Sequence, residues 1–202
     1  MDDWREAVWA AVPQDARPER FAARRAFLLA HVEPGDRVLD LGCGDGAFAA
    51  VLADAGADVT AVDVAAEALR RTARRAPGVR ALQIAEGAPL PFDEDAFDVV
   101  WAGETLEHVA DVTGLLAEVR RVLRWGGALL VTVPNQARLV VALEALAGKP
   151  LERRLDPRAD HLRFFTKRAL REMLEAGGFA HVEVRAAGGP PLARRALHAL
   201  AR

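Results

Sequence analysis

The chain has 202 residues, 51% of them apolar, and a formal net charge of -2 from 27 basic and 29 acidic side chains. That length and apolar content support one α/β domain over 1–202, and no uninterrupted apolar run approaches a membrane span. The start, Met1-Asp2-Asp3-Trp4-Arg5-Glu6, is acidic and lacks the apolar core of a signal peptide, and the single cysteine, Cys43, cannot form an intramolecular disulfide, so a cytoplasmic location is expected.

In chain order the pattern alternates helix and strand. Residues 1–32 form an N-terminal helical segment with amphipathic spacing at Phe21, Phe27, Leu28 and Val32, and Pro34-Gly35 turns the chain into a strand at about 37–41. A helix over about 46–55, a strand over about 58–62, a helix from Ala65 to Arg75, a turn at Pro77-Gly78 and a strand over about 79–84 follow. After the acidic loop Phe92-Asp93-Glu94-Asp95 come the strand Phe97-Asp98-Val99-Val100-Trp101, helical spacing from Glu104 through Leu123, the turn Trp125-Gly126-Gly127 and a strand from Ala128 to Val133. This alternation predicts a mostly parallel central sheet with helices on both faces. Residues 134–165 read as an insertion at the carboxyl edge of the sheet, the expected place for a substrate lid. Thr166 caps a helix over Lys167 to Ala176, Gly177-Gly178 stops it, and Val182-Glu183-Val184 alternates as a strand. Pro190-Pro191 followed by Leu192 to Arg202 predicts a short helix, which leaves only one strand evident at the far edge.

The densest chemistry lies in Val38-Leu39-Asp40-Leu41-Gly42-Cys43-Gly44-Asp45-Gly46-Ala47-Phe48, where a buried strand runs into a glycine turn and a helix. Glycines there let backbone approach a ligand closely. A dinucleotide site places its third glycine three residues after the second, whereas Gly46 follows Gly44 by two. Asp40 and Asp45 bracket the turn and repel a pyrophosphate, so a nicotinamide-dependent dehydrogenase fits poorly; a ligand carrying an ammonium and a sulfonium is attracted instead. Val59-Thr60-Ala61-Val62-Asp63 is a second strand ending in an acid about twenty residues after the first glycine, where a carboxylate can hold ribose hydroxyls.

The stretch from Asp40 to Gly46 resembles the first motif of the class I S-adenosylmethionine-dependent methyltransferases, and the resemblance covers roughly residues 33 to 186. It implies a Rossmann-like sheet of six or seven strands and S-adenosylmethionine as cofactor. By the same resemblance Asp40, with the backbone at Gly42 and Gly44, holds the amino-acid end, and Asp63 holds the ribose. Glu86-Gly87-Ala88-Pro89-Leu90-Pro91-Phe92 looks like the third motif, in which the acid accepts from the adenine amino group, although Glu86 stands where aspartate is commoner. Cys43, Val64, Gly87, Ala102 and Gly103 complete the implied cofactor set.

Directly after the fourth strand, Glu104-Thr105-Leu106-Glu107-His108-Val109, if helical, places two carboxylates and an imidazole on nearly one face. Oxygen ligands with one nitrogen suit Mg²⁺ or Mn²⁺, and His161 offers a further ligand. Alternatively, Glu104 and Glu107 are only favourable charges in a helix's first turn, or His108 is a general base. The Glu-x-x-Glu-His stretch with the later Asp160-His161 resembles metal-dependent 2′-O-methyltransferases of small-RNA 3′ ends. With Val133-Pro134-Asn135 and His161-Leu162-Arg163-Phe164-Phe165-Thr166 it also resembles the bacterial type 11 group of small-molecule methyltransferases, including quinone-biosynthesis enzymes. A small-molecule acceptor is the leading expectation, an RNA 3′ end the second, and a non-catalytic cofactor-binding protein the third. Residues 149–202 are net basic, and Arg153, Arg154, Arg158, Arg163, Lys167, Arg168 and Arg171 suit an anionic substrate or a merely solvated surface.

Overall fold

The computed structural model describes residues 2–14, 16–136, 142, 146–148, 161–187 and 196–202. Its helices are α1 (Asp2–Ala11), α2 (Phe21–Leu29), α3 (Ala47–Asp54), α4 (Ala66–Arg75), α5 (Val112–Val122) and α6 (Lys167–Ala176). Its strands are β1 (Arg37–Leu41), β2 (Asp58–Asp63), β3 (Arg80–Gln83), β4 (Phe97–Gly103), β5 (Leu123–Pro134), β6 (Glu183–Ala187) and β7 (Ala196–Ala201). They form one seven-stranded sheet in the order β3-β2-β1-β4-β5-β7-β6. β1 to β5 pair in parallel, and β7 runs antiparallel to both β5 and β6.

The period-two alternation of each strand sorts the core into two layers. Leu39, Leu41, Val62, Val100 and Val131 face Leu116 and Val119 of α5 and Leu170 and Leu174 of α6. Val38, Val59, Ala61 and Trp101 face Leu28 of α2 and Phe48, Ala49 and Leu52 of α3. Local capping follows the sequence: Asp111 accepts from the Gly114 N–H at 2.9 Å to start α5, and Thr166 accepts from the Ala169 N–H at 3.2 Å to start α6.

Two expectations need correction. Residues 196–201, within the expected terminal helix, form a β-strand with five of six residues buried. Alanine and leucine favour helix in isolation, but β7 completes the hydrogen-bond ladders of β5 and β6 and buries both its faces, and that outweighs a propensity of a few tenths of a kcal/mol per residue. Residues 104–123 are not one helix either. Glu104 adopts φ 58°, Leu106–His108 make a single 3₁₀ turn, and α5 begins only at Val112. Glu104 therefore does not share a helical face with His108. Most of the expected lid, 137–141, 143–145 and 149–160, lies outside the described residues.

Leu197 is fully buried in β7. Leu197→Ala is expected to lower stability by about 2–5 kcal/mol in urea unfolding, the range for emptying a core leucine site.

Candidate active site

The carboxyl ends of β1, β2 and β4 converge on the glycine turn. The N–H groups of Gly42 and Cys43 donate to Val62 O at 2.9 and 3.0 Å, which binds the turn to β2. Asp63, 7% exposed at the end of β2, accepts from the Gly44 N–H and from the Ala65 N–H, each at 2.9 Å. Gly44 sits at φ 57° with no room for a side chain: a Cβ there would lie 2.7 Å from Cη2 of Trp9. A Cβ at Gly42 would lie 2.7 Å from the Thr105 hydroxyl. Asp45 accepts from the Ala47 N–H and pairs with Arg75 at 2.6 Å, so Asp40 is the acid of the motif that lacks such a surface partner.

A cavity of about 880 Å³ opens beside this turn, in the size range of small-molecule sites. It is lined by Leu41, Gly42, Asp63, Val64, Ile84 and Ala85, by Glu86, Gly87 and Leu90, by Glu104, Thr105, His108 and Leu115, and by Arg5, Val8 and Trp9 of α1. Of the expected cofactor residues, Gly42, Asp63, Val64, Glu86 and Gly87 line this space. Cys43 does not; its buried thiol faces Thr72, with Sγ 3.5 Å from the Thr72 hydroxyl. Burial pushes that thiol's pKa up, so it is a poor nucleophile. Ala102 lies fully buried in the core, and a Cβ on Gly103 would meet Arg24 Nη2 at 2.6 Å.

Asp40 sits in a buried polar cluster on the α2 side of the sheet. It is 2% exposed, and its Oδ2 has no hydrogen-bond partner among the described residues. Around it are Arg24, 4% exposed with Nε unpartnered, and Glu104, whose Oε1 is likewise unpartnered and whose Oε2 lies 4.0 Å from Arg20 Nη1. Alternation along β5 and β7 puts Thr132 and His198 on the same face as register partners, each with an unpartnered buried polar atom. Burying polar groups unpaired is costly, and so many in one place make this cluster a candidate ligand site. Backbone strain coincides with it: Arg20 and Glu104 are both non-glycine residues in left-handed conformation, at φ 52° and 58°.

Burial, reinforced by the nearby Asp63 charge and opposed by Arg24, pushes the Asp40 carboxyl up to about 7. Burial also raises Asp63, while its bonds from Ala65 and Gly44 hold it down. His198, desolvated and facing Arg24 and Arg20, falls to about 4 and is neutral.

The structure gathers three of the four expected metal ligands. Glu107, fully buried, His108 and His161 present atoms within 4.8 Å of one another, and the two imidazole centroids are 4.8 Å apart. Glu104 stands outside the group. The chain reaches this geometry because Leu162 and Arg163 donate their N–H groups to Glu107 O at 2.7 and 3.2 Å, and the Arg163 side chain donates to the carbonyls of Val109 and Ala110. Arg163 is thus a structural staple; Arg168 pairs with Glu172 and Arg171 with Glu175 on α6, which leaves less free positive charge for a substrate than the sequence suggests. Arg153, Arg154 and Arg158 lie outside the described residues.

Sequence reasoning missed Arg5, Glu6 and Trp9 of α1, and Arg20, Arg24, Thr132 and His198. Arg24 alone left a signal, since it falls three residues after Phe21 and four before Leu28 on the stripe that packs inward.

Fold and site together define a Rossmann-like methyltransferase domain of class I. The family described as "Methyltransferase domain" matches residues 14–184, and the chain belongs to it. A "Ubiquinone biosynthesis O-methyltransferase" of Xanthomonas axonopodis pv. citri is 33% identical over 151 residues, 72% of this chain and 63% of that protein. A "2-methyl-6-phytyl-1,4-hydroquinone methyltransferase" of Synechocystis is 33% identical over 154 residues, 75% of this chain and 48% of that one. The chain thus spans about half to two thirds of the length of these two relatives. In fold it matches an S-adenosylmethionine-dependent methyltransferase structure from Mesorhizobium loti (TM-score 0.72, 22% identity, 94% of this chain and 100% of that one). It also matches a Pyrococcus horikoshii protein structure (TM-score 0.76, 18% identity, 100% and 98%).

A carboxyl group whose folded-state pKa lies above its unfolded value costs stability once ionised. For Asp40 the cost is absent near pH 4, grows as pH rises toward about 7 and is constant above that. Asp40→Asn is therefore expected to melt close to wild type at pH 4 and above it at pH 8 in scanning calorimetry.

Proposed function

We propose that this protein binds S-adenosylmethionine and transfers its methyl group to a small-molecule acceptor. The carrying observation is the buried Asp40 oxygen, unpartnered among the described residues, beside a glycine turn that Asp63 ties to the next strand. The donor set fits the ligand: Asp40 and Glu104 suit its ammonium, Arg20 and Arg24 its carboxylate, Asp63 the ribose and Glu86 the adenine amino group. When bound, the cofactor supplies a methyl carbon already activated by a positive sulfur, so the protein's chief task is alignment. His108, which lines the same cavity as Glu86, takes the acceptor's proton in this reading. The printed names of the relatives favour a phenolic or hydroquinone acceptor, and the exposed Leu162 and Phe164 beside His161 offer it an apolar surface. A cytoplasmic location is part of the same proposal.

Titration calorimetry is expected to give micromolar binding of S-adenosylhomocysteine and no heat with NADH. The reverse pattern would reject the methyl-donor reading. Affinity should fall as pH drops below about 7, because protonating Asp40 removes the charge that meets the ammonium.

A divalent cation on Glu107, His108 and His161 is the alternative role for His108, in place of proton removal, supported by the mutual proximity of the three side chains. It would orient an acceptor oxygen and ease its deprotonation. Manganese titrated in an EPR experiment is expected to bind wild type and to bind Glu107→Gln at least about tenfold more weakly; equal binding would remove the cation from the scheme.

A further inference from the structure

α1 is attached in an unusual way. None of its described residues belongs to either hydrophobic core. Val8 and Trp9, with Val12 just beyond the helix, turn toward the cavity instead. The fixed points are polar, and each falls on a wall of that cavity or on the helix beside it. Arg5 Nη2 donates to Glu86 Oε1 at 2.9 Å and to the His108 carbonyl at 3.1 Å, spanning the two sides of the mouth. Glu6 accepts from the N–H of Ala66 and, at 3.0 Å, from that of Glu67. These are orphan donors at the start of α4, whose own N-cap position, Ala65, has no side chain able to serve them. Arg71 of α4 donates to Val12 O at 2.8 Å and lies 5.9 Å from the Trp9 ring centre.

A ten-residue helix is marginal by itself and draws its stability from an apolar face packed on something. Here that face looks largely onto a cavity and rests on the fold only where Trp9 meets Gly44 and Arg71, so the helix has an incomplete floor. A ligand filling the cavity supplies the floor.

Building on the methyl-donor reading, we propose that α1 is a ligand-dependent lid. Glu6 latches it to the N-terminus of α4, Arg5 bridges the mouth, and Trp9, held against Gly44, gives the adenosyl group an aromatic surface. Arg5 occupies one oxygen of Glu86 and leaves the other for the adenine amino group, so lid closure and base recognition share one carboxylate.

Hydrogen exchange on the full chain, with and without saturating S-adenosylhomocysteine, tests this. The amides of α1 are expected to slow about tenfold on binding, the signature of a locally opening segment held by ligand. In the free protein, Glu6→Ala should speed exchange in α1 and the first turn of α4 about fivefold, as loss of a cap does. Trp9→Ala should weaken S-adenosylhomocysteine about tenfold by calorimetry while the melting temperature stays within a few degrees. If wild type binds S-adenosylhomocysteine and α1 exchange is the same with and without it, or if Trp9→Ala binds as tightly as wild type, the lid is overturned and the methyl-donor reading stands. No heat from S-adenosylhomocysteine with wild type overturns both.

Discussion

The Asp63 carboxylate, shared between the N–H groups of Gly44 and Ala65, is the constraint from which the site is built. One side chain joins the turn after β1 to the start of the helix after β2, and a ligand crossing both strands needs that distance fixed. A carboxylate oxygen accepting one N–H keeps a lone pair for another donor, so the same group can set the backbone and still receive a hydroxyl. Its two backbone bonds also oppose the desolvation that raises its pKa and favour the ionised form. The close fit of Trp9 on Gly44 and the bonds from Gly42 and Cys43 to Val62 hold the same turn.

The sheet then divides the chemistry. The cavity lined by α1 and the ends of β1 to β3 is mainly apolar, while the α2 side gathers the buried polar groups of Asp40, Arg24, Thr132 and His198, with Glu104 bordering both. Strand alternation enforces the separation. Leu39 and Leu41 go to the α5 face while Asp40 goes to the α2 face, and Val131 and Val133 flank Thr132 in the same way. The left-handed backbone at Arg20 and Glu104 and the unpartnered buried atoms around them are costs to the free fold. Residues that meet charge are here placed at the expense of stability, the usual trade at functional sites.

The region after β4 departs from helical form for a related reason. Glu104 turns left-handed and donates its N–H to Thr132 O at 2.7 Å, which continues the β4–β5 ladder by one residue and frees the next few for a 3₁₀ turn. That turn buries Glu107 and brings His108 near His161, a contact no helical wheel drawn through 104–123 would produce.

What the sequence by itself determined is carried by neighbours in the chain: the β1–turn–α3–β2 unit, its glycine spacing, the acid closing β2, the Thr166 cap of α6, and the parallel alternation. Those features rest on backbone conformation and on spacings within one supersecondary unit, and short-range chemistry is written in order along the chain. Tertiary structure alone decided that residues 196–201 become a strand, because alanine and leucine are neutral enough for two flanking ladders to choose for them. It alone placed Arg24 against Gly103, Glu6 on α4 and Trp9 on Gly44, since each of those contacts joins segments tens of residues apart, and only the closed fold sets that distance.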